Sequence, residues 1–279
     1  MIKIIKYIFK ITILLCLIIG GCLFYAFQIE PYRLTINEFE INQTSSNQLK
    51  IVQFSDTHIK EDFTYQNLDN IVNHINQQNP DIVIFTGDLY DNYAKYNDNI
   101  NIINQLQKIK AKYAKIAIWG NRDYGGRASR EYENIIENSG WTILKNQNYY
   151  ISTDNDKQIL ITGLDDSIFS NAKMPDVHHT NYDYQILLSH EPDTTDLFSE
   201  YRYDLILSGH SHGGQIDIPL LPAISQKAAS STSYASKYTG GMYKLNDKTN
   251  LYVNTGIGTT HISARLGVVP EIAVFTIYL

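Results

Sequence analysis

Hydrophobic and polar positions along this 279-residue chain follow two periods in turn. Residues 33–41 alternate apolar and polar, as a half-exposed strand does. Residues 50–55 form a short apolar strand, after which Leu68, Ile71, Val72 and Ile75 fall on one helical face. Residues 81–86 read as a buried strand, 100–109 as a second amphipathic helix and 115–119 as a third strand. That opening predicts a sheet with parallel strands and right-handed crossovers. Further strands are expected at 158–162, 184–188 and 204–208. Beyond Gly241, the runs 251–254 and 272–278 have no helix between them and predict a hairpin-like end in a second, more antiparallel sheet. Two sheets packed face to face with helices outside give an α/β fold, a four-layer α-β-β-α sandwich. Residues 219–240, rich in Ser, Ala, Tyr and Lys, lack a period and read as a functional or mobile loop.

The first thirty residues follow neither period. Lys3, Lys6 and Lys10 precede an almost wholly apolar, uncharged run over 11–27. As a helix it would span roughly 25 Å, just enough for a bilayer. The basic flank, with the first acid at Glu30, predicts a cytoplasmic amino terminus and an extracytoplasmic body. The expected organisation is a signal anchor over 1–30 and one domain over 31–279. A cleaved signal peptide also fits the run. So does a lipoprotein signal, since Ile19-Gly20-Gly21-Cys22 resembles a lipobox. Leu23, Phe24 and Tyr25 stay apolar where a lipoprotein tether is usually polar, which favours the anchor.

Charge narrows the partners. With the three N-terminal lysines set aside, the body carries 20 bases against 29 acids. General nucleic-acid binding needs basic groups to displace counterions from phosphates, so no nucleic-acid partner is expected. An anionic substrate stays open, because bound cations can reverse the local sign of a site. Both cysteines, Cys16 and Cys22, lie in the apolar run, so the body offers neither a disulfide nor a thiolate metal site.

Five motifs sit where predicted strands end: Asp56-Thr57-His58, Gly87-Asp88, Gly120-Asn121-Arg122-Asp123, Ser189-His190-Glu191-Pro192 and Gly209-His210-Ser211-His212-Gly213-Gly214-Gln215. Side chains at the carboxyl ends of strands point into the crevice where α/β sheets bind ligands. The set offers carboxylates, imidazoles and one amide oxygen, donors suited to two divalent metal ions such as manganese, iron or zinc. Asp56 and His58, two apart, can face one ion, and His212 can close its shell. Asp88 can bridge two ions. Asn121, His190 and His210 can complete the second. Two such ions make water nucleophilic without a protein nucleophile.

In this order the motifs resemble the signature of calcineurin-like metallophosphoesterases, over about residues 49–260. The likeness is to their membrane-associated bacterial branch, where an anchor precedes the domain and Gly-Gly-Gln follows the last His. It implies the calcineurin-like phosphoesterase fold, with two mixed sheets, and hydrolysis of a phosphate ester or pyrophosphate bond. It also implies Asp56, His58, Asp88 and His212 at one ion and Asp88, Asn121, His190 and His210 at the other. The family most often has His after the Asn, as a proton donor or phosphate ligand; here Arg122 stands there. Arginine keeps its proton, and its planar fork suits phosphate. Arg122 is therefore the candidate transition-state clamp, with Asp123 the other catalytic candidate as an orienting group, and the general acid is unassigned. Gly213 and Gly214, which allow close backbone approach, join Arg122 as substrate-binding candidates. The Gly-Asn-Arg-Asp string resembles that of UDP-diacylglucosamine diphosphatases. Expected partners are a phosphorylated small-molecule or lipid substrate and the membrane itself.

Outside the motifs, His74, His178, His179 and His261 read as surface residues, and Asp91, left out of the site, as either an orienting residue behind a ligand or a loop carboxylate. Tyr234, Tyr238 and Tyr243 read as packing residues rather than a lipid-facing pocket. A nuclease conflicts with the acidic body, and an inactive scaffold with the complete donor set.

Overall fold

The computed structural model describes residues 2–42, 45–176, 181–218, 221, 227 and 232–279. Among these, two six-stranded sheets form. In spatial order the first holds β1 (Thr35–Ile41), β12 (Glu271–Tyr278), β2 (Gln48–Phe54), β3 (Ile82–Phe85), β4 (Ala114–Ile118) and β5 (Thr142–Leu144). The second holds β10 (Gly241–Lys244), β11 (Asn250–Val253), β9 (Leu205–Ser208), β8 (Tyr184–Leu188), β7 (Gln158–Gly163) and β6 (Gln147–Ser152). Both are mixed. In the first, β12 runs parallel to β1 and antiparallel to β2; in the second, the outer pairs β10–β11 and β6–β7 are antiparallel.

Alternation along each strand builds the layers. Ile51 of β2 with Ile82 and Ile84 of β3 meets Ile159, Ile161, Ile186, Leu188, Leu205 and Leu207 of the second sheet. Val52, Phe54, Val83 and Phe85 point the other way, onto α2 (Tyr65–Gln77), α3 (Asn99–Gln107) and α5 (Tyr132–Asn138). Each fully buried aliphatic side chain in these layers contributes roughly 1.5–3 kcal/mol relative to exposure. The predicted face of α2 is the observed one, with Leu68, Ile71, Val72 and Ile75 buried, and Thr64 caps it in a box with Asn67. On the outer side of the second sheet, among the described residues, the covering helix is a 3-10 turn, Pro192–Phe198, packed near Tyr203, Ile206 and Leu251. Tyr238 and Tyr243 pack edge-to-face at 5.0 Å within that layer, as packing residues.

One strand lies elsewhere than the pattern predicts. β12 does not close a hairpin in the second sheet but inserts between β1 and β2 of the first. Its run is apolar on both faces: Ile272 and Val274 join the helical side, and Ala273, Phe275 and Ile277 the inter-sheet core. Continuous apolarity suits a central strand buried on both sides. β5, β6, β10 and α5 escape the pattern, because their three to seven residues are not the continuous apolar runs that reveal equally short strands such as β3 and β9.

The helix α1 (Ile2–Gln28) is long and apolar enough to cross a membrane. Among the described residues it meets the body at its end: Ala26 is buried, its carbonyl accepts from Arg265 N at 2.9 Å, and Arg33 Nη1 donates to Tyr25 OH at 3.1 Å.

Candidate metal centre

Strands β2, β3 and β4 are parallel neighbours, and so are β8, β9 and β11. Parallel neighbours end at the same edge, so the loops carrying Asp56 and His58, Asp88 and Asn121 emerge side by side, as do those carrying His190 and His210–His212. Hydrogen bonds join the two edges: His210 N donates to Asp56 Oδ2 at 3.0 Å, and Gln53 Nε2 to Ser208 O at 3.0 Å. β11 also ends here and β12 begins here, which brings residues 254–270 to the same edge.

The backbone is unusual at the motifs. Asp56, His58, Asp88, His210 and His212 all adopt left-handed φ, between 43° and 68°. Such conformations cost of order 1–3 kcal/mol each for a residue with a side chain and gather at functional sites. The glycines beside them are needed for space. A Cβ on Gly87, itself at φ +95°, would meet Gly120 N at 2.5 Å, and one on Gly209 would collide with Ser55 and Asp56.

Two buried groups result: Asp56, His58 and His212, and Asp88, His190 and His210, the ligand atoms within each lying within 4.8 Å of one another. In the first, His58 Nε2 and His212 Nε2 are 2.9 Å apart, with Asp56 Oδ1 at 3.6 and 3.3 Å. Two ring nitrogens approach so closely only with a proton or a cation between them. In the second, His190 Nε2 is 3.5 Å from Asp88 Oδ1, while Asp88 Oδ2 lies 3.5 Å from His58 Nε2. Asp88 thus presents one oxygen to each group. Asn121 starts the short helix α4 (Asn121–Tyr124), and the amide of the next residue, Arg122 N, donates to Asp88 Oδ1 at 2.7 Å.

These residues fit a pair of divalent cations. Asp56 Oδ1, Asn121 Oδ1 and His190 Nε2 are buried without a hydrogen-bond partner. Each such atom costs about 1–3 kcal/mol unless something satisfies it. Electrostatics agrees. Burial pushes the carboxyls of Asp56 and Asp88 up, but the surrounding histidines outweigh it and hold both below the ordinary range. Burial lowers His58 and His190, yet the carboxylates beside them raise both. Their companions move oppositely: burial, with the neighbouring His190, brings His210 down to about 4, and burial, with His58 and Arg265, brings His212 down to about 4. Each group therefore favours one cation, whether a proton or a metal ion, held among its donors.

Carbonyls and a carboxylate behind the rings hold these donors in place. His190 Nδ1 meets Thr86 O at 2.6 Å and His210 Nε2 meets Ser233 O at 2.7 Å, which fixes each tautomer and frees the other nitrogen. Asp91 stands 3.5 Å from His58 Nδ1. Burial pushes the Asp91 carboxyl up, but His58, Arg122 and Lys60 together hold it below its usual range. Of the two readings of Asp91, its place behind His58 fits the orienting one; its distance along the sequence from His58 left the choice open.

The remaining candidates take distinct places. The Asp123 carboxylate accepts from Asp88 N, Leu89 N and Gly120 N at 2.8 to 2.9 Å. Burial and the Asp88 charge push its pKa up to about 7 against those three donors. Both oxygens are committed to clamping the second and third loops together, which fits the orienting part expected of Asp123. The Arg122 side chain meets the segment before β12, Nη2 donating to Thr260 Oγ1 at 2.8 Å and lying 3.4 Å from His261 Nε2. His261, expected as a bystander, is exposed but stands beside Arg122. Gly213 lines a cavity of about 520 Å³ with Lys237, Thr255 and Val268, whereas Gly214 turns the chain toward Gln215. His74 bonds Asn70 O on the outer face of α2; His178 and His179 lie outside the described residues, as does most of 219–231. Sequence gave no signal for Arg265, which is fully buried and donates to the carbonyls of Gly258, Thr255, Gly256 and Val268 within 3.4 Å of His212 Nδ1.

The chain is similar to an uncharacterized metallophosphoesterase, YkuE, of Bacillus subtilis, with 36% identity over 92% of this chain and 90% of that protein. The phosphodiesterase YaeI of Escherichia coli is 26% identical over 70% of each chain. The UDP-2,3-diacylglucosamine pyrophosphatase LpxG of Chlamydia muridarum is 27% identical over 75% of this chain and 78% of its own. Residues 49–214, which carry every motif of the two groups, match the model of the calcineurin-like phosphoesterases, and the chain belongs to that family.

Proposed function

We propose that this chain hydrolyses a phosphate ester or diphosphate bond in an amphiphilic, membrane-associated substrate, with two divalent ions bound by the motif residues. Asp56, His58, Asp88 and His212 would hold one ion, and Asp88, Asn121, His190 and His210 the other. The observation that carries this reading is the Asp88 carboxylate, with one oxygen toward each buried group. Ions in these positions would supply an activated water and offset charge building on the phosphoryl oxygens.

The chain's own residues do the rest. Arg122, on the loop whose amide holds Asp88, offers a planar fork to phosphate oxygens. Asp123 keeps that loop in register with Asp88. Burial of the donors excludes bulk water and strengthens every charge interaction inside. Residues 1–30 serve as the anchor and 31–279 as the catalytic body, and the lysines before the apolar run put the body outside the cytoplasm. Tethering raises the local concentration of an amphiphile.

A UDP-diacylglucosamine-type pyrophosphatase is the second reading, supported by the Gly-Asn-Arg-Asp string and the likeness to the Chlamydia pyrophosphatase. The full chain in detergent, with and without manganese, tests both against an aryl phosphodiester, a phospholipid and a nucleotide-linked lipid diphosphate. Metal-dependent turnover is expected, with the preferred substrate separating esterase from pyrophosphatase. Two tightly bound ions without turnover of any of the three would count against both.

A further inference from the structure

We propose that His261 donates the proton to the oxygen that leaves phosphorus, beside Arg122 at the mouth of the metal centre; the proposal rests on the hydrolase reading above. Cleavage leaves an electron pair on the departing oxygen, and a positioned acid speeds that departure. Arg122 cannot serve, because a guanidinium keeps its proton at any working pH. Its Nη2 has two side-chain neighbours, Thr260 Oγ1 at 2.8 Å and His261 Nε2 at 3.4 Å. The Thr260 hydroxyl is engaged already, donating to Asp91 Oδ1 at 3.1 Å. Imidazole is the side chain that exchanges a proton near neutral pH, and it remains.

The segment is built to hold that ring in place. Thr260 N donates to Gln215 Oε1 at 2.7 Å, and Gln215 Nε2 donates to the carbonyls of Ile262 and Ala264 at 3.0 and 3.1 Å. Lys60 Nζ grips the other side through Thr259 O, Thr259 Oγ1 and Ser263 Oγ at 2.8, 2.8 and 3.0 Å. Between these anchors His261 is exposed at φ +59°, a left-handed conformation costly for a residue with a side chain. The same anchors tie it to the metal groups: Gln215 follows the His212 turn, and Asp91 faces His58.

Arginine has no acceptor, so the Nε2 facing it carries a lone pair before substrate arrives. The charged groups around the ring are Arg122, Asp91 through Thr260, and Lys60 across the loop. An anionic ester that takes up the Arg122 fork frees Nε2 to carry the proton it donates. In the step, water gives a proton to solvent while its oxygen bonds to phosphorus. The bond from phosphorus to the leaving oxygen breaks, its electron pair stays on that oxygen, and His261 supplies the proton. The neutral ring regains one from solvent.

His261→Asn isolates this role, because Asn tolerates the left-handed region and keeps a hydrogen-bonding tip but cannot act as an acid. The full chain in detergent, loaded with manganese, would be assayed on two diesters that differ only in leaving group, one nitrophenolate and one primary alkoxide. The variant should lose about 10²-fold or more in kcat on the alkoxide ester, and far less on the nitrophenyl ester, whose oxygen departs without a proton. Equal losses on both, or no loss on either, overturn the proposal. Failure of the unaltered chain on both esters overturns the hydrolase reading itself, and this proposal with it. A second readout needs no turnover: inorganic phosphate should shift the ring resonances of His261, and shift them less in Arg122→Ala. A ring that phosphate does not move would also overturn it.

Discussion

The two buried groups have the same composition, one aspartate and two histidines each, yet their histidines are oriented by different means. In the second group, main-chain carbonyls of Thr86 and Ser233 hold His190 and His210. In the first, charged side chains stand behind the rings: Asp91 behind His58 and the buried Arg265 behind His212. A carboxylate behind an imidazole makes it a stronger donor, and a guanidinium makes it a weaker one. The first group's ring orientation is therefore open to tuning by single substitutions, while that of the second is set by main-chain carbonyls.

Asp88 is where the difference should vanish, since its two oxygens serve both groups. Asp88→Asn removes the shared charge and should abolish metal-dependent hydrolysis. It should also weaken both ions by more than the roughly 10–100-fold that outer partners cost. Metal titration by calorimetry beside the ester assay checks it; two ions retained with full activity would mean that Asp88 bridges nothing.

Asp91→Asn should split the groups. One aspartate oxygen, Oδ1, faces His58 Nδ1 and accepts from Thr260 Oγ1; an asparagine removes the charge behind His58 and can place either its oxygen or its amide nitrogen there. If its amide nitrogen turns to His58, the ring is pushed toward the tautomer with its proton on Nε2, the nitrogen aimed at His212. One of two ions should then bind about 10–100-fold more weakly while the other is unchanged. A uniform loss at both sites would erase the distinction and make Asp91 a general source of negative charge.

The donors themselves were legible in the sequence because each follows a strand that alternation or apolar runs identify, and parallel strands end together. Asp56, Asp88 and His190 needed no more than that. The orienting layer was not legible, for physical reasons. Carbonyls of Thr86 and Ser233 leave no trace in residue identity. Asp91, Thr260, His261 and Arg265 act from positions with no motif, and most reach the site only because β12 returns to the first sheet. His261 read as a surface residue because no spacing partner marks it, and it is exposed; that it neighbours Arg122 leaves no trace in the sequence. The covering segments were also hidden: β5 and β10 are too short to show a period, and the edge strand β6 has one face in solvent.

The smallest expected effect tests the backbone-set half of the comparison. Ser233→Ala removes an exposed hydroxyl but leaves the carbonyl that accepts from His210 Nε2 at 2.7 Å. If His210 is held by the main chain alone, affinity for both ions should change by less than the roughly 10-fold lower bound for losing an outer partner. The same titration that resolves the two sites in Asp91→Asn reads this directly. A loss at one site as large as that of Asp91→Asn would mean that the serine side chain orders the segment over His210. The second group would then be no more independent of its neighbours than the first, and the contrast between a tunable and a backbone-fixed ion would fail at its second half.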